Sequence, residues 1–119
     1  MAEYKLKERT FQFSVSVIRY FSAIPLNPEF LFLKKQIYRS SASVGANVVE
    51  GSAGATKKEL IRYLYIALRS SNETTYWSKL IREIFDNLKN QSKDDLIAES
   101  EAIARILGKS LVTLRNANT

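Results

Sequence analysis

The stretch "YRSSASVGANVVEG", residues 38–51, decides how this chain folds. With the residues before it, it places Leu33, Ile37, Ser41, Val44 and Val48 at steps of four, four, three and four. That spacing is the core-facing side of a helix. On the adjoining face fall Ser40, Ser43 and Asn47, with Ala42, Gly45 and Ala46 nearby. Small side chains let a second backbone come close. Buried hydroxyls and an amide then need partners, because each one left unpaired costs about 1–3 kcal/mol. The stretch therefore predicts a tight helix crossing lined with hydrogen bonds. A ligand site on the same strip is the less economical reading.

Upstream, Pro25 and Pro28 in "AIPLNPE" mark a connection. Before it, Phe11, Val15 and Ile18 share one face and Phe13, Val17, Tyr20 and Ile24 lie beside it, predicting a helix with a wide apolar stripe. The alternation "FQFSVSV" would also suit a strand, but Phe21 and Ile24 continue the helical period and no turn residue closes a hairpin. The second helix is expected from near Glu29 to a terminating Gly51. "GSAGAT" reads as a loop, and Thr56 with Glu59 as a capping box that opens a third helix at Lys57. Leu60, Leu64, Ala67, Leu68, Trp77, Leu80, Ile81, Ile84, Phe85 and Leu88 carry that helix to about residue 89. A fourth opens near "SKDD", with Ser92 as its cap and Asp94 and Asp95 in the favourable first turn. Its stripe is Leu96, Ile103, Leu107 and Leu114. Short connections make neighbours antiparallel, so the expected fold is all-α: an up-down-up-down four-helix bundle, residues 1–119 forming a single domain.

Composition narrows the chemistry. The chain has 119 residues, enough to bury roughly two thirds of its unfolded surface. It has no cysteine and no histidine, which removes disulfides, thiolate chemistry, the commonest general base and the commonest metal ligand. The opening residues read as neither a signal peptide nor a membrane span, so a cytoplasmic location with no membrane partner is the default expectation. "GSAGAT" lacks the lysine and spacing of a phosphate-binding loop. Glu50 and Glu73 lack the histidine-bearing pattern of carboxylate-bridged metal bundles. No enzyme activity, metal or cofactor is expected.

The second-helix stretch and the one that follows it resemble the 23S rRNA intervening-sequence proteins, a four-helix-bundle family. The likeness runs over about residues 8–88 and is strongest from Gln36 to Trp77. Its specific parts are Arg39-Ser40, Ser43-Val44-Gly45-Ala46-Asn47, Glu50, Ser70-Ser71-Asn72-Glu73-Thr74 and Tyr76-Trp77. Some members carry a proline inside the helix-two motif, where this chain has Val44-Gly45. The resemblance implies a small bundle that assembles into a ring-like homopentamer, without catalytic activity. Many members are encoded inside intervening sequences of large ribosomal RNA genes. A related group serves diversity-generating retroelements by binding nucleic acid and a reverse transcriptase, so RNA, DNA and such a protein are the partners it suggests.

The charges give a separate line of argument. The net charge is +6. In an up-down bundle one pole gathers Lys5, Lys7, Arg9, Lys57, Lys58, Arg62, Lys109 and Arg115 against Glu3, Glu8, Glu50 and Glu59, an excess of four. Phosphate suits lysines beside a helix N-terminus, so Lys5, Lys7, Arg9, Lys57, Lys58 and Arg62 are the expected nucleic-acid contacts; two solvated lysines at a capped helix are the bland alternative. On helix three Tyr65, Arg69, Asn72 and Tyr76 share a face that could stack bases or cover a neighbouring subunit, with the subunit contact preferred. Trp77 is expected in core or interface. Two ion pairs are also expected: Arg69 with Glu73 four residues on, and Glu50 with an arginine of helix three.

Overall fold

Residues 38–51 are helical throughout, and among the described residues three further α-helices pack around them. In a computed structural model that describes residues 2–54, 56–85 and 91–117, α1 is Ala2–Ser22, α2 Leu31–Ser52, α3 Lys57–Ile84 and α4 Gln91–Asn116. They form a four-helix bundle about 52 Å long and 22 by 20 Å across. The α2–α3 seam is the most extensive, followed by α3–α4 and α1–α2, and α1 meets α4 over far less contact.

The core takes Phe13, Val17 and Phe21 from α1, and Leu33, Ile37, Val44 and Val48 from α2. Leu64, Ala67 and Ile81 join from α3, with Ile103, Leu107 and Leu111 from α4. This stripe is narrower than expected on α1, because Phe11 points outward at 59% exposure. The face that turns inward is Phe13-Val17-Phe21, at steps of four.

Several element ends differ from the sequence reading, each for a local reason. Pro28–Phe30 forms one 3-10 turn that includes Glu29, and α2 proper starts at Leu31. Proline at the first position favours that turn, and Phe30 then leaves helical angles at φ −105°, ψ 7°. Gly51 does not terminate α2. It lies buried inside the helix, which runs on to Ser52, and no described glycine has positive φ. Gly51 is there for closeness: a Cβ built on it would lie 2.9 Å from the Cβ of Tyr63 on α3. Of the expected capping box the Thr56 half forms, with Thr56 Oγ1 accepting the Glu59 N–H at 3.1 Å. Helix α3 stops at Ile84, short of residue 89. Phe85 turns extended at φ −115°, ψ 98°, and its ring meets Phe30 edge-on at 5.0 Å, a tertiary contact that outweighs the helical period. Leu88 lies outside the described residues. Ser92 sits within the first turn of α4 and so is not its cap.

Candidate nucleic-acid interface

The small strip on α2 divides into two seams. Toward α3, the Ser70 hydroxyl donates to Ser43 Oγ at 2.9 Å, and Thr74 Oγ1 stands 2.9 Å from Ser40 Oγ. Asn47 Nδ2 donates to Ser43 at its carbonyl, 2.8 Å, and its hydroxyl, 2.9 Å. Toward α1, Gly45 is the close approach: a Cβ there would lie 3.3 Å from the Thr10 carbonyl group. Beside it the Ser14 hydroxyl donates to the Ser41 carbonyl at 2.8 Å. Ala42 and Ala46 face outward and belong to neither seam. The hydroxyls thus satisfy one another across helix contacts while the Asn47 amide bonds back to Ser43 within α2, which makes this motif a packing device and leaves little capacity for a ligand.

Neither expected ion pair forms among the described residues. Glu50 is exposed and takes part in no ion pair among the described residues. Arg69 is also exposed, and Glu73 pairs with Arg39 of α2 instead. Angular placement explains the exchange. Glu73 leans toward α2, where Arg39 also holds Gln36 Oε1 at 2.8 Å, and away from the outward direction of Arg69. Glu73 also accepts the indole N–H of Trp77 at 2.9 Å, and Trp77 packs half-buried against the core.

At the pole formed by the start of α1, the end of α2, the start of α3 and the end of α4, the basic residues separate into kinds. Lys57, Lys58 and Arg115 line a hollow of about 330 Å³ with Ile61 and Leu114. Lys58 is exposed and Lys57 half-exposed in the first turn of α3. Lys5, exposed, and Lys7, half-exposed, flank Leu6, which shares a groove with Leu60, Lys109 and Leu114. Arg62 is exposed with its guanidinium 4.4 Å from the centre of the Tyr63 ring. Arg9 leaves the set. It makes a two-pronged ion pair with Glu99 of α4, at 2.7 and 2.8 Å, and those hydrogen bonds raise its pKa further. With Arg9 neutralised by an acid from outside the pole, the local excess falls from four to three.

Tyr65, Arg69, Asn72 and Tyr76 all lie exposed on the outer side of α3, as their spacing predicts. Tyr65 is 44% and Tyr76 60% exposed, large values for aromatic rings. The Arg115 guanidinium stands 5.8 Å from the Tyr65 ring centre, so this face runs on into the basic pole.

Lys93 escaped the sequence reading. It is buried, with its amine 3.8 Å from the ring centre of Phe21 and 5.7 Å from that of Tyr20. Burial, aided by Arg82 and opposed by Asp94, lowers its pKa to about 7. A signal was present: Lys93 stands four before Ile97 and seven before Ser100, on the side of α4 that turns inward. Among the described residues, no three His, Cys, Asp or Glu side chains gather as metal ligands. None of the described helices is long and apolar enough to cross a membrane.

No curated protein matches the chain. Among solved structures, a protein of unknown function from the S23 ribosomal protein family of Bacteroides thetaiotaomicron VPI-5482 is similar, with a TM-score of 0.81 and 25% identity. The likeness covers 89% of this chain and 97% of that one. A family model described as 23S rRNA-intervening sequence protein matches residues 2–109, which take in α1, α2, α3 and most of α4. With the fold and the match in agreement, the chain belongs to the family of 23S rRNA-intervening sequence proteins.

Proposed function

We propose that this protein is a non-catalytic binding protein that takes RNA or DNA weakly, with little sequence preference, through its basic pole. The observation that carries this reading is the hollow where Lys57, Lys58 and Arg115 converge at the N-terminus of α3. These cations lie beside the first turn of α3, whose leading backbone N–H groups have no partner within the helix, an arrangement suited to phosphate. Lys5, Lys7 and Arg62 extend the field around it, while Arg9 acts as a strut to α4. Assembly into a homo-oligomer, a pentamer by family resemblance, belongs to the same proposal, because gathered poles would sum their charge. Phe11, Ala42, Ala46 and Val49, exposed along α1 and α2, supply apolar surface for such contacts.

The rival reading is a protein-interaction scaffold that uses Tyr65, Arg69, Asn72 and Tyr76, with a reverse transcriptase among the partners it would suit. It is favoured by the exposure of both tyrosines beside an arginine, a composition typical of interface cores.

Salt separates the two. Retardation of a structured RNA by the full chain should weaken steeply between about 50 and 200 mM salt. Lys57→Glu with Lys58→Glu should abolish it, with the circular dichroism spectrum unchanged. Binding that ignores salt and survives the charge reversal would overturn the nucleic-acid reading. Light scattering coupled to size exclusion tests assembly, and a monomer at all concentrations would refute that part.

A further inference from the structure

Beside the cationic hollow the bundle opens into a groove of about 420 Å³ that includes residues of all four helices. Its walls are Leu6, Leu60, Ile106 and Leu114, over a floor of Val48 and Leu64 that is almost fully buried. The polar residues in its lining are Ser52, Lys109, Ser110 and Thr113. Leu114 is a wall common to this groove and to the hollow of Lys57, Lys58 and Arg115. An apolar cleft and a cationic patch therefore adjoin across one side chain. The volume exceeds what one inserted side chain fills and falls within the range of small-molecule sites, about 300–1,000 Å³. A free phosphate would leave the apolar walls unused, and a neutral hydrocarbon would leave the cations unused.

We propose that this groove binds a soluble single-chain amphiphile. Its alkyl tail lies between α1 and α4, and its anionic headgroup meets Lys109 and, beyond Leu114, Lys57 and Arg115. The charge of the rim selects the headgroup, and the apolar walls read the length of the tail. This site stands apart from the nucleic-acid reading in its walls and floor, and meets it only at the shared cations.

The test is calorimetric titration of the full chain with octyl and decyl phosphate, each below its critical micelle concentration. One molecule should bind per chain, and decyl phosphate should bind about fifteenfold more tightly than octyl, the gain expected from two more buried methylenes. Decyltrimethylammonium, with the same tail and the opposite charge, should bind at least tenfold more weakly. Ser110→Phe and, separately, Thr113→Phe should fill the groove and remove decyl phosphate binding. In both variants circular dichroism and RNA retardation should stay as in the parent, which separates failure of this proposal from failure of the nucleic-acid reading. Equal binding of the two headgroups, no gain with tail length, or full binding in a folded Phe variant would each overturn the proposal. So would cosedimentation with phosphatidylglycerol vesicles without binding of monomeric decyl phosphate, an outcome that points to a membrane surface.

Discussion

The α2–α3 seam and the α1–α4 seam solve the same packing problem in opposite ways. Between α2 and α3, serines and a threonine pair their hydroxyls at 2.9 Å, and Gly51 lets Tyr63 come close. Between α1 and α4 larger side chains meet over little contact, tied by the exposed Arg9–Glu99 pair, and a groove of about 420 Å³ opens at one end. Small side chains alone do not bring helices together. They do so where every polar atom they bury finds another, and the α2–α3 seam meets that condition with a ladder of Ser, Thr and Asn.

The largest effect should come from blocking that approach. Gly51→Leu drives a side chain into the Cβ of Tyr63, 2.9 Å from the first atom added, and should destabilise by about 3 kcal/mol. Gly108 on α4 is the control, because a Cβ there meets nothing within 4 Å. Gly108→Ala should stabilise by about 1 kcal/mol through helix propensity alone. Urea unfolding with unchanged m-values would measure both. If the two glycines responded alike, the distinction between the tight seam and open space would fail.

Next in size is the pH response of Lys93, buried where α4 meets the Phe21 end of α1. Its pKa falls from the ordinary lysine value of 10.5 to about 7, so the folded chain holds this proton more weakly than the unfolded chain does. Between about pH 7 and 10.5 the unfolded state binds more protons, and stability should climb with pH across that window. Below pH 7 both states are protonated and the penalty is constant. The climb should be on the order of 2 kcal/mol, well short of the full shift at about 1.4 kcal/mol per unit, because a flexible lysine relaxes toward water. Lys93→Met should flatten it. An equal climb in that variant would assign the effect to other groups.

The hydroxyl ladder itself should respond by about 1–2 kcal/mol. Thr74 Oγ1 donates to the Ser70 carbonyl at 2.8 Å and pairs with Ser40 Oγ, so Thr74→Val keeps the shape and removes both contacts. Adding Ser40→Ala should cost less than the sum of the single changes, because the orphaned hydroxyl leaves with it. Strict additivity would show that the two hydroxyls do not depend on each other.

What the sequence disclosed and withheld follows from the same geometry. A period of 3.6 reports which residues share a face, so Leu33, Ile37, Val44 and Val48 were legible as core, and Ser40, Ser43 and Asn47 as one strip. It does not report how each helix is rotated against its neighbour. That rotation decides whether Glu73 reaches Arg69 on its own helix or Arg39 across the seam, and whether Phe11 turns in or out. Gly51 looked like a stop signal because glycine commonly ends helices; only the position of Tyr63 shows that it spares space instead. The basic pole followed from topology, which short loops determine, but the removal of Arg9 from it depends on Glu99, ninety residues away.

Glu50 sets the lower limit of these effects. It belongs to the motif that marks the family resemblance, and its place three residues after Asn47 suggests a partner on α3. In the folded chain its carboxylate is exposed, and the arginine-binding acid of this seam is Glu73. An exposed carboxylate outside any ion pair contributes little to folding, so Glu50→Gln should move stability by less than about 0.5 kcal/mol. In a chain of this size that corresponds to a melting shift within about 3 °C. The measurement should be repeated across protein concentration. A loss that grows only as copies associate would place Glu50 in a contact between subunits, where its motif would act through assembly and leave the fold of each copy unchanged.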